Sequence, residues 1–99
     1  HKSLPVVTAS EAELDIDLEP FETLREAPMG MVAHILFEAW DAERPSSQSP
    51  FVIEEIIRTR IGFGGLLMTD DIGMEALSGS PGERSAAALA AGCDLTLHC

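Results

Sequence analysis

The stretch Gly65–Met74, GLLMTDDIGM, decides how this chain is read. Two glycines, Gly64 and Gly65, lead into an apolar run, Leu66-Leu67-Met68, which gives way abruptly to Thr69-Asp70-Asp71. A short apolar run bounded by turn residues is the pattern of a buried parallel strand, here over residues 65–70. Carboxylates at the C-terminal end of such a strand sit where α/β enzymes keep their chemistry. Burying an unpaired carboxylate is costly, so two adjacent ones need partners or a use. Successive strand residues point to opposite faces, and Asp70 and Asp71 are therefore expected to have different surroundings and different tasks.

Upstream, Ser49-Pro50 reads as the N-cap and first position of a helix. Val52, Ile53, Ile56, Ile57 and Ile61 form its apolar stripe, Glu54 and Arg58 a favourable i,i+4 pair, and Gly62 its stop. Downstream, Ser80-Pro81-Gly82-Glu83 is a capping box opening an alanine-rich helix that ends at Gly92. The segment Asp94–Cys99, DLTLHC, reads as a further strand. Nearer the N-terminus, Met29–Phe37, MGMVAHILF, is a strand candidate with His34 towards its C-terminal end, and Glu38–Ser49 is a long polar loop of the kind that often carries function. Residues 1–7, HKSLPVV, are an irregular or extended lead-in. Capping boxes at Thr8/Glu11 and Ser10/Glu13 then predict a short helix over residues 9–18, and Pro20 opens a second over 20–25. The alternation of helix and strand predicts an α/β fold with parallel strands and right-handed crossovers. Polar groups recur at the strand ends: His34, Asp70 and His98. That is the pattern of a (β/α) barrel or a doubly wound sheet. A barrel needs eight strands and roughly 250 residues, and a three-stranded parallel sheet leaves apolar edges open. These 99 residues are therefore expected to be part of a larger barrel, or to need partner surface.

With 17 acidic residues against 6 basic ones and a net charge of −11, the chain lacks the basic face that nucleic acid or an anionic membrane would require. No apolar run is long enough to span a bilayer, and no signal-peptide pattern is present. Cys93 and Cys99 have no disulfide-framework spacing and read as reduced thiols of a cytoplasmic protein, packed as small core residues. There is no GxSxG, P-loop or GxGxxG. Asp70 is suited to act as nucleophile, general base, metal ligand or stabilising charge, with the Thr69 hydroxyl available to orient it; a helix cap or loop ion pair is the plainer role for such a residue. Two histidines and a carboxylate, His34, His98 and Asp70, also suit a metal-dependent hydrolase, although their spacing matches no sequential ligand motif.

The run Gly62–Met74, GFGGLLMTDDIGM, resembles the nucleophile segment of glycoside hydrolase family 3, in the branch of bacterial β-N-acetylhexosaminidases. That branch carries Gly-Phe-x-Gly, an apolar strand and Ser/Thr-Asp-Asp-Leu-x-Met; here Ile72 stands for the leucine and Gly73 for the usual small residue. DLEPF (17–21), MVAHILF (31–37), the RPSSQS loop (44–49) and AGCDLTLHC (91–99) fall in the family's order. HKSLPVV resembles the segment after the family's Asp-x-His element.

The resemblance implies that residues 1–99 are a fragment of a single barrel domain, a partial (β/α)₈ TIM-type barrel with three successive parallel strands. It implies Asp70 as the catalytic nucleophile and His1 as the acid/base, with His34, Asp71 and Met74 as substrate-pocket candidates. Asp71 is also expected to support or anchor the loop. The reaction implied is retaining removal of β-linked N-acetylglucosamine from peptidoglycan fragments in cell-wall recycling. No metal and no cofactor is expected, and the partner is an amino-sugar substrate. The aspartate that would orient His1, two residues before it, and the Lys-His-Phe-Pro-Gly-His-Gly motif lie outside these residues, so the fragment alone is expected to be inactive. A family 3 β-glucosidase is a near alternative, disfavoured because such relatives place Trp where Asp71 stands. A non-catalytic remnant is the remaining one.

Overall fold

The computed structural model of the chain describes residues 3–99. Local signals hold where both partners lie within one helical turn. Ser10 caps α1 (Glu11–Asp17): its hydroxyl accepts from the Glu13 N–H, and the Glu13 carboxylate accepts from the Ser10 N–H. Ser80 and Glu83 do the same for α3 (Pro81–Ala91), which stops at Gly92. Between them α2 (Glu19–Thr23) carries Pro20 in its first turn. Leu14 and Leu18 are buried, whereas Phe21, which shares their spacing, faces outward.

The helix after Ser49 begins as expected, with the Ser49 hydroxyl accepting from the Val52 N–H at 3.2 Å. It then widens into a π-helix over Val52–Ile61. Its turns close five residues apart, and the Thr59 hydroxyl follows suit by donating to the Glu54 carbonyl at 2.8 Å. Wide turns of this kind are rare; Ile56 and Ile61, five residues apart, are buried, and Arg60 is exposed. The helix ends at Gly62, whose φ of 78° lies in the left-handed region. Arg58 does not pair with Glu54. Its guanidinium donates to the carbonyls of Phe63 (3.1 Å) and Gly65 (2.6 Å) and to the Asp94 carboxylate (3.0 Å).

The strands are all parallel. The long candidate at 29–37 divides in two. β2 (Met29–Val32) pairs with β4 (Leu66–Asp71), while β3 (Leu36–Phe37) pairs with the lead-in strand β1 (Val6–Val7). The chain changes partner across Ala33-His34-Ile35, where Ser46 supplies what a strand would have: its hydroxyl donates to the Ala33 carbonyl and its N–H to the Ile35 carbonyl. With β5 (Leu95–Leu97), the main sheet has the order β2-β4-β5, and the strand bearing both aspartates is in the middle. One face packs on the π-helix and α3 through a core that includes Val32, Ile53, Ile56, Phe63, Leu67 and Ala88. On β2, Met29 and Met31 alternate with these core-facing positions and are exposed.

Gly65 sets how closely the turn before β4 approaches β2. A Cβ there would lie 2.6 Å from the Ala27 carbonyl oxygen and 2.7 Å from that of Pro28. The Pro28 oxygen is already engaged by the Leu66 N–H at 2.9 Å and cannot retreat without breaking the first rung of the ladder. Gly65→Ala is therefore expected to destabilise the protein by about 1–3 kcal/mol, read as a lower urea midpoint with an unchanged m-value.

Candidate active site

The C-terminal ends of β2, β4 and β5 bring His34, Asp70-Asp71 and His98 to one edge of the sheet. β4 is bulged there. Met68 faces Leu95 and Asp71 faces Leu97, so β4 spends one residue more than β5 between these pairs. The Leu97 N–H, displaced from the regular ladder, donates to the Thr69 hydroxyl at 3.1 Å. The expected service of that hydroxyl to Asp70 is thus replaced by a bond that satisfies β5. Bulges of this type re-aim side chains at strand ends.

Both aspartates are half-buried, but their donors differ. Among the described residues only the Asp71 N–H donates to Asp70, at 2.8 Å to Oδ1. Asp71 Oδ1 accepts from the Gly73 N–H (2.8 Å) and the Cys99 N–H (3.2 Å), so its carboxylate shapes the turn after β4 and ties it to the end of β5. The Gly73 bond first, then the Cys99 bond, and more weakly the nearby His98 and His34, hold its carboxyl below the usual aspartate range. Met74 is half-buried in that turn, with its N–H 3.3 Å from the Asp71 carbonyl.

His34 is only 5% exposed. Its Nδ1 lies 2.6 Å from the Ser47 hydroxyl and its Nε2 2.9 Å from the Asp71 carbonyl. With both ring nitrogens committed inside the protein, it does not present a free polar edge to a ligand, contrary to its expected place in a substrate pocket. The same commitment removes it from the metal set. His98 is exposed, with Nδ1 on the Cys99 oxygen at 3.0 Å, and among the described residues no three His, Cys, Asp or Glu side chains are grouped so as to hold an ion. His1 lies outside the described residues.

Two sets of residues escape a reading of the sequence. In the polar loop, Ser46 and Ser47 are buried rather than solvated, alongside the capping Ser49. Serine is short and unpatterned, and only the RPSSQS match pointed to Ser46 and Ser47. The other is Arg84, on α3. Its guanidinium donates to the carbonyls of Ile72 (2.7 Å), Met74 (3.1 Å) and Leu77 (2.6 Å), clamping the segment that follows the two aspartates. Cys93 is packed beneath the loop, its thiol 3.7 Å from the Ser47 carbonyl; burial first, then Asp94, pushes its pKa up to about 11, which keeps it an S–H donor. Cys99 is exposed and free. The large apolar hollow of about 520 Å³, lined by residues such as Leu18, Phe21, Met31 and Trp40, does not include Asp70, Asp71 or His34 in its walls.

The model of the glycosyl hydrolase family 3 N-terminal domain matches residues 1–99. A beta-hexosaminidase of Psychromonas ingrahamii is 35% identical over 105 residues, an alignment covering 100% of this chain and 31% of that protein. Among solved structures, a family 3 beta-N-acetylglucosaminidase from Paenibacillus sp. str. FPU-7 superposes with a TM-score of 0.92 at 36% identity, covering 99% of this chain and 20% of its own. NagZ from Neisseria gonorrhoeae, in complex with N-trifluoroacetyl-D-glucosamine, superposes with a TM-score of 0.82 at 34% identity, covering 100% of this chain and 30% of its own. The chain thus spans less than a third of the length of each of these proteins.

Because the Asp71 carboxyl titrates below its unfolded value, its contribution to stability is fully present above about pH 4 and is lost as the pH falls through the lowered folded value. Asp71→Asn is expected to lower stability at pH 7, with the gap from wild type closing as the pH drops below about 4. Urea midpoints of both proteins across that range check it, and a gap that widens on acidification contradicts the assignment.

Proposed function

We propose, from the premise that this chain belongs to glycosyl hydrolase family 3, that it carries the nucleophile of a retaining exo-β-N-acetylglucosaminidase. The observation that carries the reading is Asp70 itself. It is a half-buried carboxylate at the C-terminal end of the central parallel strand, with one N–H donor among the described residues. Asp70 attacks the anomeric carbon of the sugar, and the bond to the leaving oxygen breaks as that oxygen takes a proton from His1. Water then attacks the same carbon and gives a proton back to His1. The Asp70 carboxylate leaves, so the β configuration is retained. A histidine suits this double duty because its ordinary pKa lies near neutral pH. Asp71, at the end of β4, and Met74, in the turn beyond it, flank the sugar.

Residues 1–99 form, in this reading, one part of a (β/α)₈ barrel domain. Parallel strand order supports it, as do Met29 and Met31, 53% and 56% exposed on the face away from the helices. Parallel sheets have both faces covered, and a barrel interior is what would cover that one. The substrate class is N-acetylglucosaminyl sugars of peptidoglycan fragments; the sugar analogue bound to the Neisseria relative supports the N-acylglucosamine part of that reading. No described helix is long and apolar enough to cross a membrane. The unpaired cysteines agree with a cytoplasmic setting.

In the full-length protein, Asp70→Ala is expected to abolish hydrolysis of an aryl N-acetyl-β-glucosaminide while circular dichroism and the melting temperature stay close to wild type. Turnover at the wild-type rate would sink the assignment. The 99-residue chain assayed alone is expected to give no turnover; measurable hydrolysis would show that the remainder of the barrel is dispensable.

A further inference from the structure

We propose that His34 is a positioning residue for Asp70, and that Ser47 fixes the ring orientation in which it acts. The proposal rests on Asp70 being the nucleophile. A carbonyl oxygen can only accept, so the Nε2 of His34 carries the proton it shares with the Asp71 carbonyl. A neutral ring then accepts at Nδ1, and the fully buried Ser47 hydroxyl is the donor there, at 2.6 Å. The Asp71 carbonyl that His34 holds belongs to the residue whose N–H donates to Asp70 Oδ1. One residue therefore connects the ring to the nucleophile: its C=O is fixed by His34 and its N–H fixes the carboxylate. The Met74 N–H also reaches that carbonyl, but at 3.3 Å and from the turn itself. His34 reaches it from a different strand end and sits two residues past the last β2–β4 pair, Val32 with Thr69. It continues across that gap the hold that the ladder has just given up.

Loss of the Ser47 hydroxyl leaves Nδ1 without its partner and frees the ring to swing away from the Asp71 carbonyl. The Nε2–H then no longer holds that carbonyl, the 71–72 peptide shifts, and the shift passes through the Asp71 backbone to the 70–71 peptide whose N–H sets the Asp70 carboxylate. A misplacement of about 1 Å is enough to cost on the order of 100-fold in rate. The Asp71 carboxylate and the Met74 turn that flank the sugar are held separately, by the Gly73 and Cys99 N–H groups and by Arg84, so sugar binding changes little.

The test uses the full-length protein and an aryl N-acetyl-β-glucosaminide. Ser47→Ala is expected to lower kcat by about 10- to 100-fold with KM within about twofold. His34→Phe, which keeps ring volume without a donor, is expected to do the same or more. Wild-type kcat in Ser47→Ala, or a raised KM at unchanged kcat, overturns the proposal. Should the variants fail to fold, ¹⁵N shifts of His34 in the wild-type protein decide: protonation at Nε2 supports it, and protonation at Nδ1 alone overturns it. The two readings fail separately. An active Asp70→Ala removes the nucleophile assignment, whereas an inactive Asp70→Ala beside a fully active Ser47→Ala removes only the positioning role.

Discussion

The bond from the Leu97 N–H to the Thr69 hydroxyl is the interaction on which the site's geometry depends. The extra residue in β4 opposite β5 would otherwise leave that N–H facing a gap in the ladder. An unsatisfied N–H in the sheet interior costs about 1–3 kcal/mol, and Thr69 has no exposed surface through which water could answer it. A β-branched hydroxyl residue is the economical solution: it keeps strand preference and supplies an acceptor. Once the bulge is tolerated, pairing resumes with the Ile72 N–H on the Leu97 carbonyl at 2.8 Å, and the two aspartates are carried around the end of the sheet.

The opposite end of the same strand is held by different means. Asp94 accepts the Leu67 N–H at 2.8 Å and the Arg58 guanidinium at 3.0 Å, while its own N–H returns to the Leu67 carbonyl. Arg58 also gathers the carbonyls of the Phe63–Gly65 turn. Charge at this end is spent on backbone, closing the strand entry, and none of it faces the aspartates. Parallel α/β folds commonly divide labour in this way, with stability at the N-terminal ends of the strands and chemistry at the C-terminal ends. The division explains why a chain with so few basic residues places two of them, Arg58 and Arg84, on carbonyls at opposite ends of β4.

What could be read from the sequence follows the range of the interaction. The Ser10/Glu13 and Ser80/Glu83 boxes join groups within one turn and were legible as written. So was β4, because an apolar run between glycines and acids has few other uses. The break at Ala33–Ile35 was not, since an apolar run looks the same whether it keeps one partner or changes to another; the decision lies with Ser46, more than ten residues away. The π-type turns were hidden too, because Val52, Ile53, Ile56, Ile57 and Ile61 all fit ordinary helical spacing as well. His34 and Asp70 were singled out for their chemistry and strand-end positions. That His34 meets a carbonyl, not a ligand, depends on the β2–β4 register, which no local pattern encodes.

The same dependence separates the two adjacent aspartates, which are chemically identical as residues. A carboxylate that accepts several N–H donors is held still and its lone pairs are occupied; it makes a good anchor and a poor nucleophile. Asp71 is in that condition, with Gly73 and Cys99 on one oxygen. Asp70 receives a single N–H among the described residues, and that N–H belongs to Asp71. Asp71 thus serves its neighbour twice over: its side chain closes the turn, and its backbone orients the Asp70 carboxylate without engaging the other oxygen. On the proposed reading, two costly carboxylates in sequence are then one device, in which the first is left free to react while one oxygen of the second holds the strand end in place.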